Sequence, residues 1–357
     1  MAPRVVVVAQ AFKETLPSRV VAGALERAVV AAGAVPQILY GSDGGDGLLD
    51  ALAPRLERRT THEAVDPLGR PLQASVGWLD ATTAVVESRL VCGLSLLDPE
   101  ERDPLSTSTR GVGQLILRVA ANGARQVYVG LGGSATMDGG VGMARAWGWT
   151  PRDETGDELP EGGGSLAKLA QLDPGLRPEV ALVGLCDVRN PLTGPRGARV
   201  YAPQKGASPT QVEQLARGME RLAGVAAVAG RAELAGHPGA GAAGGLGFGL
   251  LYFGDGTLQQ GAGWVLRRIG FDAAISGAAL VVAGEGAFDQ TSLEGKLTGE
   301  VIRQAQGAGV PVLLLAPRAS DVPPGVTVEA GGGRWSADDL ERRAQGAVAR
   351  IIRLLAN

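Results

Sequence analysis

Eight charged side chains stand where a strand-like apolar run gives way to a glycine-flanked loop: Lys13, Asp43, Asp46, Asp187, Lys205, Glu285, Asp289 and Lys296. An isolated aspartate in a loop is ordinarily an Asx turn or a helix cap, but a whole set placed after successive strands points to a shared task. Carboxylates that coordinate a hard cation, lysines that neutralise phosphate oxygens and one aspartate acting as base are the parts phosphoryl transfer requires. Other chemistries lack their residues. Neither Lys205 nor Lys296 has a glycine six positions before it and a Ser or Thr after it, so there is no classical P-loop. GxSxG and HExxH are both missing, and the only histidines, His62 and His237, read as surface or packing residues.

The segment 126–149, QVYVGLGGSATMDGGVGMARAWGW, reads as a strand that breaks into glycines and restarts as a helix. Gly130, Gly132 and Gly133 would let a ligand approach the backbone, and the next helix would aim its free N–H groups at an anion, phosphate first of all. The same run fits the G-x-G-x-x-A variant of the dinucleotide fingerprint, ending at Ala135. Asp138, in the first helical turn, would gain nothing for a bare pyrophosphate, although a magnesium-bound phosphate would tolerate it. Close packing of helix on strand is a third account of the same glycines.

The elements that must hold these residues follow from periodicity. A strand over Arg4–Ala9, a helix over 18–32 and a strand over 36–40 that ends in GSDGGDG are the βαβα wording of a doubly wound sheet. From about Thr60 the idiom changes to short strands, THEAVD, QASVGWLD and TAVVES, with a turn at 67–71, which suggests a second domain inserted after the first units. Helices are predicted over 89–94 and 109–122, and 151–178 reads as an acidic surface loop with one helical turn. A buried strand, Ala181–Cys186, runs into CDVRNPLTGPRGARVYAPQKGAS. A helix over 210–230 and the small-residue segment PGAGAAGGLGFGLLYF follow. The strand 279–283 leads into GEGAFDQTSLEGK, 310–315 is the last strand, and a helix over Ala337–Ala356 comes after it.

Bulk properties agree. At 357 residues two domains are expected. Charged residues at 20 % and apolar residues at 45 % are ordinary for a folded protein, and a net charge of −3 carries no nucleic-acid signature. Two cysteines, Cys92 and Cys186, without a CxxC pair fit a reducing, cytoplasmic setting. The apolar run from Val5 to Ala9 is too short for a signal-peptide core, and no stretch is apolar enough for a bilayer span. Glycine, at 55 residues, has about twice its usual share, which fits many tight loops around ligands.

Taken together, AFKETL, SDGGDG, DPLGRPL, STSTRGVGQLI, GLGGSATMDGG, CDVRNPLTGPRGA, APQKGA, PGAGAAGGLG and GEGAFD followed by GK resemble, in order and over nearly the whole chain, the bacterial type I glycerate kinases. The resemblance implies two α/β domains with the active site in a cleft. One would be flavodoxin-like (Rossmann-like) and built from both chain ends, residues 1–60 and 278–357. The other would be an inserted mixed-sheet α/β domain, residues 61–277, carrying the glycine-rich phosphate loop. It further implies transfer of the ATP γ-phosphate to D-glycerate, typically giving 2-phosphoglycerate, with Mg2+. Partners would be these small molecules, without nucleic acid or membrane, in a monomer or homodimer.

The implied site uses Lys13, Asp43, Ser134, Asp187, Lys205, Glu285, Asp289 and Lys296. In our assignment Gly132, Gly133, Ser134, Ala135 and Thr136 hold phosphates, and Arg110 or Lys13 grips the glycerate carboxylate. Asp187 and Asp43 are metal ligands or base. The chain departs from the family pattern within functional motifs. DSFKG is replaced by Gln10–Ala11–Phe12–Lys13–Glu14, Arg189 takes an acid's place in CDVDNPL, and Ala287 replaces the arginine of GEGR. The usual Gln-Thr appears as Thr291–Ser292, and Met137 stands where Asn is usual. Such changes leave room for two alternatives: a diverged member that binds a phosphorylated or carboxylated metabolite without turnover, or a kinase for another small hydroxy acid.

Overall fold

The computed structural model describes residues 2–12 and 15–356. The chain divides into two compact units, the first comprising Met1–Asp43, Asp50–Pro54 and Ala262–Asn357, the second Gly44–Leu49 and Arg55–Gly261.

In the first unit, five parallel strands form one sheet in the spatial order Val326–Ala330, Val312–Ala316, Leu280–Gly284, Arg4–Ala9, Val35–Tyr40. Numbered along the chain, this is the 2-1-3-4-5 order of flavodoxin-like folds, with the direction of strand progression reversing between Arg4–Ala9 and Leu280–Gly284. The central strands can be continuous apolar runs because helices cover a parallel sheet on both faces. Leu280–Gly284 and Val312–Ala316 are accordingly buried at every position. The helix Ser18–Ala31 buries Val21, Ala22, Ala24, Leu25, Ala28 and Val29, a helical period, and packs with Ala337–Ala356. Leu297–Gly307 packs on Leu280–Gly284 and Val312–Ala316.

The second unit holds a mixed six-stranded sheet in the order Thr257–Gln260, Ala181–Cys186, Gln126–Gly130, Thr83–Glu87, Pro71–Trp78, Arg58–Val65. The first four strands are parallel and the last two are antiparallel additions. The strand Thr257–Gln260, polar and largely exposed, gives no apolar pattern and is missing from the sequence reading. The segment 151–178 is more than a surface loop. Thr150–Arg152 pairs with Gln171–Asp173, and Leu159, Leu166 and Leu169 anchor it in the core. Among the described residues no helix is long and apolar enough to cross a membrane.

Candidate active site

In an open α/β sheet, ligands bind outside the carboxyl ends of the strands where strand order reverses. The first unit has a cavity of about 630 Å3 there, lined by residues from every strand end. Gln10, Ala11 and Thr15 follow the first strand and Asp43 the second; Glu285, Gly286, Ala287, Asp289 and Lys296 follow the third. Pro317 and Arg318 follow the fourth, Gly333 and Arg334 the fifth. The structure thus brings together Asp43, Glu285, Asp289 and Lys296. Lys13 and Glu14 lie outside the described residues.

Two of these carboxylates have opposite environments. Burial pushes Glu285 above the usual carboxylate range, against hydrogen bonds from the Thr298 and Ser292 hydroxyls and the nearby charge of Lys296. Its Oε1 is buried with no hydrogen-bond partner among the described residues. Asp289 is exposed and held below its usual range, first by the Thr291 hydroxyl at 2.6 Å and also by the Thr291 N–H at 2.8 Å. Lys296 Nζ donates to the same Thr291 hydroxyl at 2.7 Å. Carboxyls driven apart in this way are suited to different tasks, one taking up a proton more readily and the other holding a fixed charge. Gln10 reinforces the pattern: its Nε2 donates to Thr298 Oγ1 at 2.7 Å and to the Gly284 carbonyl at 3.1 Å. Thr298, Arg318 and Arg334 escaped the sequence reading. Arg318 carried the same signal as the others, a charged residue just past an apolar run.

The glycine-rich loop of the second unit is arranged differently from the expected open cradle. A Cβ on Gly130 would lie 2.4 Å from the Gly44 carbonyl oxygen, and one on Gly132 would lie 2.7 Å from the Gly45 Cα. The close approach these glycines permit is therefore made by the chain's own Gly44–Gly45 segment. Gly133 is exposed and Gly132 half-buried, while Ser134, Ala135 and Thr136 are buried. Ala135 N–H donates to the Cys92 carbonyl at 2.7 Å, and Lys205 Nζ donates to Ser134 Oγ and the Thr136 carbonyl, each at 2.7 Å. Burial lowers the Lys205 ammonium to about 8.

The helix N–H groups expected to face an anion are likewise taken. The helix is short, Val141–Ala146, and the Asp138 carboxylate accepts from Gly140 N and Gly142 N, both at 3.0 Å. The same carboxylate accepts from Thr109 N at 2.8 Å and Thr109 Oγ1 at 2.9 Å, which ties the loop to the start of the helix Arg110–Ala121. Asp138 is thus an internal cap. Arg110 opens that helix and pairs with Glu161 at 2.6 Å.

Asp187 follows Ala181–Cys186 and is half-buried. Its charge adds to burial in pushing the Tyr201 hydroxyl and the Cys186 thiol up to about 12 each. Asp46 pairs with Arg89 at 3.4 Å, and buried Glu87 caps the neighbouring Gly47 and Leu49 N–H groups at 3.0 and 3.1 Å.

Among the described residues no cluster of three or more His, Cys, Asp or Glu side chains could hold a metal ion. Magnesium, however, is ordinarily bound by one or two carboxylates together with substrate phosphates. Asp43, Glu285 and Asp289 on the cavity wall are donors of that kind.

Comparison with known proteins identifies the family. The glycerate kinase family matches residues 5–331. A glycerate kinase of Bacillus subtilis (strain 168) is 38 % identical over 322 residues, 88 % of this chain and 84 % of that protein. A glycerate 2-kinase of Escherichia coli (strain K12) is 37 % identical over 330 residues, covering 89 % and 86 %. A crystal structure of a protein assigned as glycerate kinase 2 from Salmonella typhimurium LT2 superposes with a TM-score of 0.79 at 32 % identity, covering 100 % of this chain and 98 % of that one. The chain belongs to the glycerate kinase family.

Proposed function

We propose that the protein transfers the γ-phosphate of ATP to D-glycerate, giving 2-phosphoglycerate. One observation carries the reading beyond family membership: a cavity at the reversal point of the sheet holds two carboxyls whose proton affinities are driven apart, Glu285 raised by burial and Asp289 lowered by hydrogen bonds from Thr291, with the charge of Lys296 acting on both. In the reaction a glycerate hydroxyl oxygen bonds to the γ-phosphorus, the bond from that phosphorus to the β–γ bridging oxygen breaks, and the hydroxyl proton leaves to a carboxylate.

Glu285 suits the proton transfer because burial makes it a stronger base than an exposed carboxylate. Lys296, oriented through Thr291, suits charge developing on phosphate oxygens. Asp289 holds Thr291 in place and keeps a negative charge available for a cation. Asp43 and Asp187 are each proposed as ligands of a magnesium ion that arrives with ATP, or as the alternative base. That ion supplies neutralisation of the phosphate charge. Lys205 acts by fixing Ser134 and Thr136, and exposed Gly133 with half-buried Gly132 is the part of the loop that phosphate can reach. Arg110 or Lys13 is a candidate for gripping the glycerate carboxylate.

The test is ATP consumption with magnesium against D-glycerate, L-glycerate and related hydroxy acids, with the product position read by 31P and 13C NMR. Turnover of D-glycerate to the 2-phosphate is expected. Absence of turnover on every acid, together with ligand-induced thermal stabilisation, would overturn the reading in favour of a binding protein. Full activity in both Asp289→Asn and Asp187→Asn would overturn the assignment of those carboxylates.

A further inference from the structure

Two short strands at the carboxyl end of the first unit's sheet, Ala287–Phe288 and Arg318–Ala319, pair in parallel with Ala287 opposite Arg318 and Phe288 opposite Ala319. Side chains in register on neighbouring strands project to the same face, and successive ones alternate. Phe288 is buried on the inner face, while Ala287 and Arg318 both line the cavity. The backbone that carries Arg318 is held on both sides. Ser320 N–H donates to the Phe288 carbonyl at 2.9 Å, and Gly331 N–H donates to the Pro317 carbonyl at 3.0 Å. The alanine methyl in register with it leaves room over the ladder for the guanidinium.

Other cavity charges already have partners. Lys296 donates to Thr291 and acts on both Glu285 and Asp289, and Arg334 has a partner of its own. The Arg318 guanidinium has no hydrogen bond and no carboxylate within ion-pair distance among the described residues. A rigidly based guanidinium on the wall of the pocket is a fork for an incoming oxyanion, because two parallel N–H bonds match a carboxylate or a phosphate.

We infer that Arg318 binds an oxyanion of the substrate pair in this cavity, either the glycerate carboxylate or an ATP phosphate, and so sets substrate affinity. This rests on the kinase reading above, and the experiment separates the two. Arg318 is exposed, so its replacement leaves folding intact, which a thermal melt verifies. In Arg318→Gln the KM for one substrate rises about tenfold or more, with kcat within about threefold, as expected for a lost charge-assisted pair. The substrate whose KM moves identifies the oxyanion. Moving the guanidinium across the ladder in the double variant Ala287→Arg with Arg318→Gln recovers most of the loss, a rescue that a merely structural role would not produce.

Both KM values staying within about twofold of the parent would overturn the inference while leaving the kinase reading intact. If the parent protein turns over no hydroxy acid, the kinase reading fails, and the inference is then read from binding of ADP, inorganic phosphate and D-glycerate by calorimetry. At least tenfold weaker binding of one of them by Arg318→Gln supports it. Equal binding by both proteins, or no binding by the parent, overturns it.

Discussion

Replacing Lys205 by methionine separates the stability of the glycine-rich loop from its function. Lys205 is 3 % exposed, and its ammonium makes two hydrogen bonds of 2.7 Å, to Ser134 Oγ and to the Thr136 carbonyl. Bonds of this charged type contribute about 1.5–3 kcal/mol each. Against them stands the cost of burying the charge. The fall of the Lys205 ammonium from 10.5 to about 8 corresponds to roughly 3 kcal/mol at 1.36 kcal/mol per unit. Methionine fills similar space and removes both the bonds and the charge, so Lys205→Met should lose no more than about 3 kcal/mol near neutral pH.

Activity should fall much further, by about 100-fold in kcat/KM, because a loop released by even 1 Å forfeits alignment worth that factor. The two variables are read by steady-state kinetics and by urea unfolding followed through buried Trp147, which lies in the same unit. The pH dependence supplies an internal check. The folded-state value lies below the unfolded one, so the unfolded chain binds the proton more tightly. The burial cost is therefore present in full below about pH 8 and disappears as pH rises toward 10.5. Relative to Lys205→Met, the parent should gain up to roughly 3 kcal/mol over that window. A variant with kcat/KM within threefold of the parent, or parallel pH profiles of stability, would refute the reasoning.

Other substitutions probe neighbouring features. Asp138→Asn leaves one N–H donor of the set Thr109, Gly140 and Gly142 facing an amide NH2, and should cost about 3 kcal/mol in urea unfolding. Gly244→Ala forces a methyl to 1.9 Å from the Thr136 carbonyl oxygen at a φ of +67°, so soluble yield, melting temperature and activity should drop together. The acid limb of kcat/KM against pH should lie above the ordinary carboxylate range and disappear in Glu285→Gln, since activity is lost as pH falls through the raised Glu285 value. Gln10→Glu replaces a donor to Gly284 O and Thr298 Oγ1 with an acceptor and adds a negative charge beside Glu285, which should move that limb further upward.

Much of the fold was legible because its signals are local. The valine run of Arg4–Ala9, the apolar stretch Ala181–Cys186 and the amphipathic Ala337–Ala356 each carry their own period or composition, and the structure has elements at these bounds. Thr257–Gln260 was not legible, because a polar edge strand owes its conformation to pairing with Ala181–Cys186. The buried leucines of 151–178 were masked by acidic and glycine-rich surroundings.

The candidate site divides in the same way. Residue type and position after a strand were enough to mark Asp43, Glu285, Asp289 and Lys296, since parallel strands deliver their following loops to one edge of a sheet, and these four do line one cavity. Sequence alone thus determined the fold class, the family and four of the charged residues that line this cavity. It could not show that Gly130 and Gly132 accommodate Gly44 and Gly45, that Asp138 caps its own helix or that Lys205 is spent on Ser134 and Thr136. Each of these depends on which distant backbone fills a given space, and hydrogen-bonding capacity is assigned only once the chain has closed upon itself. The tertiary structure alone also set Glu285 and Asp289 apart, because burial and hydrogen-bond partners, rather than the identity of the acid, decide where a carboxyl holds its proton.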